Sequence, residues 1–99
     1  MIRHIVAWKL KATEPAEKEE AARRLAVGLQ ELVPIIPEIQ HLTVGADLGV
    51  VDGNWDVAFW VDFASLADLD TYQSHPAHVA FAALPRELTA DRVCVDLDL

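Results

Sequence analysis

The sequence predicts an α+β domain in which helices cover one face of a four-stranded sheet. Three segments, residues 2–10, 55–63 and 92–99, alternate their side chains with the two-residue period of a β-strand. After the first of them, apolar residues recur about every 3.6 positions, which is typical of an amphipathic helix. The predicted order is strand, helix, strand, strand, helix pair, strand, so the helices return across the sheet.

The first half of the chain is predicted to hold one long helix and a second strand. Thr13 offers a hydroxyl for the helix N-cap, and Pro15 suits the first helical turn. Pro34 and Pro37 end the helix, because proline lacks the amide proton and clashes with the preceding turn. We expect the second strand at residues 38–46, followed by a turn-rich connection to the next strand.

The second half is predicted to hold two helices separated by a break. Ser65 is expected to cap the first of them, with Asp68 as its capping-box partner. Pro76 breaks that helix and, as a first-turn residue, opens the next one, which continues through Leu84. The last strand then follows and closes the chain.

Size and composition indicate a single globular domain, residues 1–99. The chain is 53% hydrophobic and 24% charged, with a net charge of -8, which disfavours nucleic acid and anionic membranes as partners. The N-terminal segment has neither the apolar core of a signal peptide nor the length of a membrane span. Cys94 is the only cysteine, so no intrachain disulfide is possible, and we expect a reduced, cytoplasmic location.

The sheet face that the helices leave bare predicts a homodimer. At least five large apolar side chains would remain there, each contributing about 1.5–3 kcal/mol when buried. Their sum, roughly 10 kcal/mol, rivals the whole stability of a typical domain. We therefore expect two copies to pack sheet against sheet. We further expect Phe59 and its strand neighbours to belong to this bare surface, and any ligand to lie between or beside the two sheets.

The segment YQSHPAHVAF at residues 72–81 carries the most specific motif, Tyr-x-x-His-Pro-x-His-Val. Together with RHIVAWKLK, LxxLVPIIP, VxFxS and the closing RVCVDLDL, it resembles the stress-responsive α/β-barrel family, often called the Dabb domain. The resemblance spans essentially the whole chain. It implies a ferredoxin-like dimeric α/β barrel, with a four-stranded antiparallel sheet and helices on one face. Most members of that family have no known reaction, whereas its plant polyketide cyclases close a linear polyketide by aldol chemistry, using a histidine and a tyrosine of this motif.

Carried over by position, the resemblance implies a set of site residues. His78 becomes the candidate general base and Tyr72 its phenolic partner, while His4 and Asp96 match further pocket positions. The chemistry is reasonable because the unperturbed pKa of histidine, about 6.5, permits proton transfer at neutral pH. Asp96 would fix the tautomer of His78, and Tyr72 would donate to a substrate carbonyl. Val57 stands where the cyclases have another pocket histidine.

Four residues are the candidate ligand contacts of the barrel: His4, Trp8, Val57 and Phe59. Trp8 and Phe59 are otherwise ordinary core residues, and a histidine on such an apolar face is usually a satisfied core histidine.

Structural roles also account for the motif. His78 would then satisfy buried backbone groups or Asp96 beside the helix start, and Tyr72 would be a lid with its ring in the core and its hydroxyl at the surface. His75 is expected to be a helix-junction residue, because Pro76 forces an extended conformation on it.

No metal or cofactor is predicted. His-x-x-His across a proline is not a recognised ligand spacing, and no cysteine pair supports zinc. Cys94, alone in a valine-rich strand, is expected to be inert packing. No glycine-rich phosphate loop is present.

Two functions of different classes therefore remain open. The first is a dimeric, stress-associated module whose barrel holds a small hydrophobic molecule or nothing. The second is a cofactor-independent enzyme of the cyclase or lyase type, with His78 as general base assisted by Tyr72. The discriminating observation is a pocket that encloses Tyr72 and His78. If His78 packs in solid core with no cavity above about 100 Å³, small beside the 300–1,000 Å³ of ordinary ligand sites, the enzyme hypothesis is to be dropped.

Overall fold

The structure is a computed structural model that describes residues 1–99, and it confirms the predicted fold class. The four strands form one antiparallel sheet in the order β2-β3-β1-β4, with the helices on one face. The elements are β1 (Ile2–Leu10), α1 (Pro15–Leu32), β2 (His41–Ala46), β3 (Val57–Phe63), α2 (Leu66–Ser74), α3 (Pro76–Phe81), α4 (Ala83–Leu88) and β4 (Thr89–Asp98). None of the helices combines the length and the apolar character that crossing a membrane requires.

Helix α1 begins at Pro15 and ends shortly before Pro34, but Thr13 is not its N-cap. The N-cap is Glu14, whose extended backbone leads into Pro15 at the first turn and whose side chain makes no capping hydrogen bond. The predicted cap was therefore wrong by one position. Proline at the first turn already has the φ angle of a helix, and it lacks an amide proton that would otherwise be unpaired. The helix ends at Leu32, before Pro34, as predicted.

The break between α2 and α3 lies where the prolines predict it. The Ser65 hydroxyl accepts a hydrogen bond from the Asp68 amide at 3.2 Å, which confirms the cap of α2. His75 is extended (φ -60°, ψ 135°), as a residue before proline should be, and its Nδ1 accepts from the Ala77 amide at 3.0 Å. The helix that Pro76 opens is shorter than expected, because a turn at Ala82 separates α3 from α4.

The helices cover the sheet face that carries Phe59, so one expectation was wrong. Phe59 is only 4% exposed within a single chain, and Val61 and Phe63 beside it are fully buried. Strand alternation tells which residues share a face but not which face meets the helices. In β3 both faces carry a large aromatic side chain, Phe59 on one and Trp60 on the other, so the pattern alone did not decide between them.

The opposite face of the sheet is uncovered and partly apolar. Ile5 pairs in register with Trp60 on one side and with Val95 on the other, so these side chains share that face. Val95 is 55% exposed. Near them Arg3 donates two hydrogen bonds to Asp62, at 2.8 and 3.0 Å, and this pairing lowers the pKa of the Asp62 carboxyl. We call this surface the open face.

Candidate functional site

A cavity of about 110 Å³ lies between the helices and the sheet of one chain. Its volume just exceeds the predicted threshold of about 100 Å³, and His78 lines it, but Tyr72 does not, so the expected pocket enclosing both residues is found only in part. Strands β1, β3 and β4 provide one wall, and the segment from α2 to α4 provides the other. The lining residues are His4, Trp8, Phe59, Gln73, His78, Phe81, Ala82, Pro85 and Arg92.

His78 enters this cavity from α3, the helix that Pro76 opens. Its Nδ1 lies 3.2 Å from the Gln73 carbonyl oxygen. Because a carbonyl oxygen can only accept, Nδ1 carries the hydrogen and the neutral ring keeps its lone pair on Nε2. Burial lowers the pKa of His78, and the nearby His4 and Arg92 act in the same direction against the Gln73 hydrogen bond. His78 is thus held as a neutral base.

The Gln73 carbonyl, rather than Asp96, therefore sets the tautomer of His78. The expectation that Asp96 would do so was wrong, because Asp96 is bonded to His4. Gln73 and His78 are close because the break at Pro76 folds the start of α3 back on the end of α2.

Tyr72 lies fully buried against His78. Their ring centres are 4.4 Å apart, and the ring of Phe63 packs on the tyrosine at 5.0 Å. The Tyr72 hydroxyl is buried and has no hydrogen-bond partner among the protein groups, so Tyr72 is not a lid with a solvated hydroxyl. Burial raises the pKa of Tyr72. The phenol is therefore a neutral donor that lacks an acceptor.

His4 and Asp96 form a hydrogen-bonded pair across β1 and β4. They are register partners, and His4 Nδ1 donates to Asp96 Oδ1 at 2.6 Å. His4 is buried, whereas the side chain of Asp96 is 45% exposed. His4 is a satisfied core histidine whose ring also forms part of the cavity wall.

Cys94 lies next to this pair but is not set up as a nucleophile. Its Sγ is 3.4 Å from His4 Nδ1, the same nitrogen that donates to Asp96, so that nitrogen is not free to take the thiol proton. Burial raises the pKa of the Cys94 thiol, outweighing the opposing effect of Arg92. A thiol that stays protonated is a weak nucleophile.

The same three side chains are the residues that could hold a metal. Donor atoms of His4, Cys94 and Asp96 lie within 4.8 Å of one another, and this nitrogen, sulfur and oxygen set suits zinc. In the structure, the short hydrogen bond from His4 to Asp96 already engages two of these three side chains with each other. The absence of a metal stays a prediction.

The structure brings most of the predicted ligand contacts together. Trp8 and Phe59 both line the cavity, with ring centres 4.9 Å apart. Val57 is buried on the same strand but does not line this cavity. Sequence reasoning did not single out five of the lining residues, namely Gln73, Phe81, Ala82, Pro85 and Arg92. Gln73 and Phe81 belong to the quoted motif, so proximity to His78 was an available signal for them.

Gly28 allows Phe81 to reach its place in the cavity wall. A Cβ atom at residue 28 would lie 2.7 Å from the Phe81 ring, closer than real contacts permit. The absence of a side chain on α1 thus lets the aromatic ring of α3 pack tightly against that helix.

Two wider grooves near the start of α1 are less suited to an apolar ligand. Their volumes are about 380 and 450 Å³. Each is lined by several charged side chains, including Glu17 and Glu20 in one and Glu19 and Asp56 in the other. A further groove of about 290 Å³ contains Trp55 and Asp47, whereas the cavity of about 110 Å³ combines three aromatic side chains with His4 and His78.

The family model described as the stress-responsive A/B barrel domain, Dabb, matches residues 2–99. The chain belongs to the Dabb family. Of the solved structures, a dimeric ferredoxin-like protein from Thermobifida fusca is 34% identical, with a TM-score of 0.82 over 99% of this chain and 90% of that one. A dimeric ferredoxin-like protein from Bacteroides fragilis is 29% identical, with a TM-score of 0.86 over 99% and 95%.

A third solved structure with a similar fold has a named activity. It is a hydroxynitrile lyase from Passiflora edulis, 22% identical, with a TM-score of 0.79 over 97% of this chain and 90% of that one. At this identity the likeness concerns the fold. No curated protein matches the chain significantly.

Proposed function

We propose that this Dabb protein is a homodimer that binds a small, largely hydrophobic molecule in the cavity beside Tyr72 and His78. The cavity wall at His78 carries this proposal, because aromatic side chains meet there with Nε2 of His78, a ring nitrogen that has no partner within the protein. A ligand hydroxyl would donate to that nitrogen, whereas Tyr72 packs against His78 and does not itself line the cavity. The aromatic walls provided by Trp8 and Phe59 suit an apolar body on such a ligand.

Filling the cavity is expected to abolish binding. Ala82 lines the cavity, so Ala82→Leu places three extra carbons in it, whereas Ala80→Leu adds the same group at an exposed position of α3. With 1-butanol as the probe, NMR titration should give saturable shifts of the His78 ring signals in the wild type and in Ala80→Leu. We expect at least tenfold weaker binding in Ala82→Leu. Equal binding in both variants would contradict the proposed location.

Proton transfer by His78 is a second candidate function. The observation that favours it is the tautomer, since the Gln73 carbonyl holds the hydrogen on Nδ1 and leaves Nε2 as a base. Tyr72 would donate to the oxygen on which negative charge develops. The hydroxynitrile lyase from Passiflora edulis shares this fold, so the fold is compatible with lyase activity.

The open face is the proposed dimer interface. Its exposed apolar side chains include Val93, Val95 and Leu97, and burying them against a second copy would be favourable. The similar proteins from Thermobifida fusca and Bacteroides fragilis are described as dimeric.

A single acidic substitution on the open face is expected to break this dimer. Sedimentation at micromolar concentration should give about twice the 10.9 kDa chain mass for the wild type and the single mass for Val95→Asp. Leu48→Asp is the matched control, because Leu48 is 91% exposed in the loop between β2 and β3, away from the open face. A monomeric wild type, or a Val95→Asp variant that remains dimeric, would refute this interface.

A further inference from the structure

Arg92 is a cation at the cavity that no carboxylate of the chain neutralises. Its register partner is Trp8, so its side chain lies on the helix side of the sheet at the cavity wall, where Arg92 is exposed on the edge strand β4 and also interacts with the Cys94 thiol. The four ion pairs of the structure involve Arg3, His4, Lys18 and Arg23 instead. Asp91 beside it accepts from the backbone amide of Arg92.

The cavity wall as a whole contains no acid. None of the nine lining residues is Asp or Glu, although the chain holds sixteen of these residues against eight Lys and Arg. The other three surface depressions each include at least one carboxylate, such as Glu17, Glu19 or Asp47. The nearest acid on this face, Asp96, is already engaged by His4. The positive charge of Arg92 thus faces a wall without a counter-charge.

The Tyr72 hydroxyl, which has no hydrogen-bond partner in the protein, lies close enough to the Arg92 guanidinium for that charge to affect its pKa. The charge of Arg92 lowers the pKa of both Tyr72 and His78, opposing burial at Tyr72 and adding to burial at His78. Of Tyr72 and Arg92, only Arg92 lines the cavity, and it brings there a guanidinium without an acid partner. A guanidinium group binds a carboxylate through two parallel hydrogen bonds.

We propose that Arg92 binds the carboxylate of the ligand, so that the cavity accepts small organic acids. This inference rests on the proposed binding function and names its ligand class. The charged end of the acid lies on Arg92 and its apolar end contacts Trp8 and Phe59. The volume of about 110 Å³ equals the share of about four liquid water molecules, so the acid is a short one.

Matched probes that differ only in charge test this proposal. Butanoate and butanamide have the same length, and each is titrated into the protein while the NMR signals of the His78 ring are followed. We expect butanoate to bind the wild type at least tenfold more tightly than butanamide. Arg92→Gln should abolish that preference, whereas Arg86→Gln, at an exposed position on α4, should keep it. Melting temperatures of both variants show whether they remain folded.

The outcomes separate this inference from the proposed binding function. Equal binding of butanoate and butanamide to the wild type overturns the carboxylate subsite and leaves the cavity as a binding site. A preference for butanoate that survives in Arg92→Gln also overturns the role of Arg92. If 1-butanol binds but neither butanoate nor butanamide does, only the carboxylate subsite is refuted. If none of the three molecules binds, the proposed binding function is refuted as well.

Discussion

Replacing His78 by glutamine is expected to slow proton abstraction from a carbon acid in the cavity by about 10²–10⁴-fold. In that step the C–H proton moves to Nε2 of His78, and its electron pair moves through the carbon–carbon bond to the carbonyl oxygen. Tyr72 would donate a hydrogen bond to the resulting enolate. Glutamine keeps a polar group on α3 but has no basic nitrogen, so only the proton acceptor is lost.

The measurement is hydrogen–deuterium exchange at the α-carbon of 2-butanone in D₂O, followed by NMR. The control is His41→Gln, because His41 is exposed on β2 and bonded to Thr43. Since burial lowers the pKa of His78, a larger share of the ring is in the basic form near neutral pH than for an ordinary histidine. Protein-dependent exchange should rise with pH below that lowered pKa and level off by neutrality. Wild-type exchange no faster than in buffer, or unchanged exchange in His78→Gln, would contradict the second candidate function.

Replacing Tyr72 by phenylalanine is expected to raise the free energy of unfolding of the ligand-free protein by about 1–3 kcal/mol. The substitution keeps the ring that packs on Phe63 and His78 and removes only the buried hydroxyl without a protein partner. Because Tyr72 does not line the cavity, the binding of 1-butanol should change little.

Urea denaturation measures the stability change, and Thr89→Val is the matched control. Thr89 also carries a hydroxyl, but that hydroxyl donates to the Pro85 carbonyl at 2.6 Å. The Pro85 carbonyl also accepts from the Thr89 amide, so Thr89→Val removes one of its two hydrogen bonds and should lower the free energy of unfolding. If Tyr72→Phe destabilises the protein as Thr89→Val does, the hydroxyl of Tyr72 has a hydrogen-bond partner that it loses, and it is not an unsatisfied donor.

The fold could be predicted because its signals are local. Alternation in β1 and β3, the apolar stripe of α1 and the breaks at Pro34 and Pro76 each depend on a few neighbouring residues. Local signals were less exact at element ends. The cap of α1 moved by one residue, and the turn at Ala82 within the second helical region was not foreseen.

The candidate site could be predicted only in part. The motif at residues 72–81 identified Tyr72 and His78, which do pack together. Its chemistry depends on contacts that the motif does not contain. The carbonyl that sets the tautomer of His78 depends on how α3 folds back on α2, and the hydrogen bond of Asp96 to His4 depends on register between strands at opposite ends of the chain.

By itself, the amino-acid sequence determined the order of strands and helices, the position of the breaks and the pair of residues most able to move a proton. Only the tertiary structure decided which sheet face the helices cover, that Arg92 meets the cavity without a counter-charge, and that the Tyr72 hydroxyl is left without an acceptor. The physical reason is distance along the chain. Periodicity depends on a few neighbouring residues. The choice of the covered sheet face, the strand register and the burial of side chains depend on packing between segments up to about ninety positions apart.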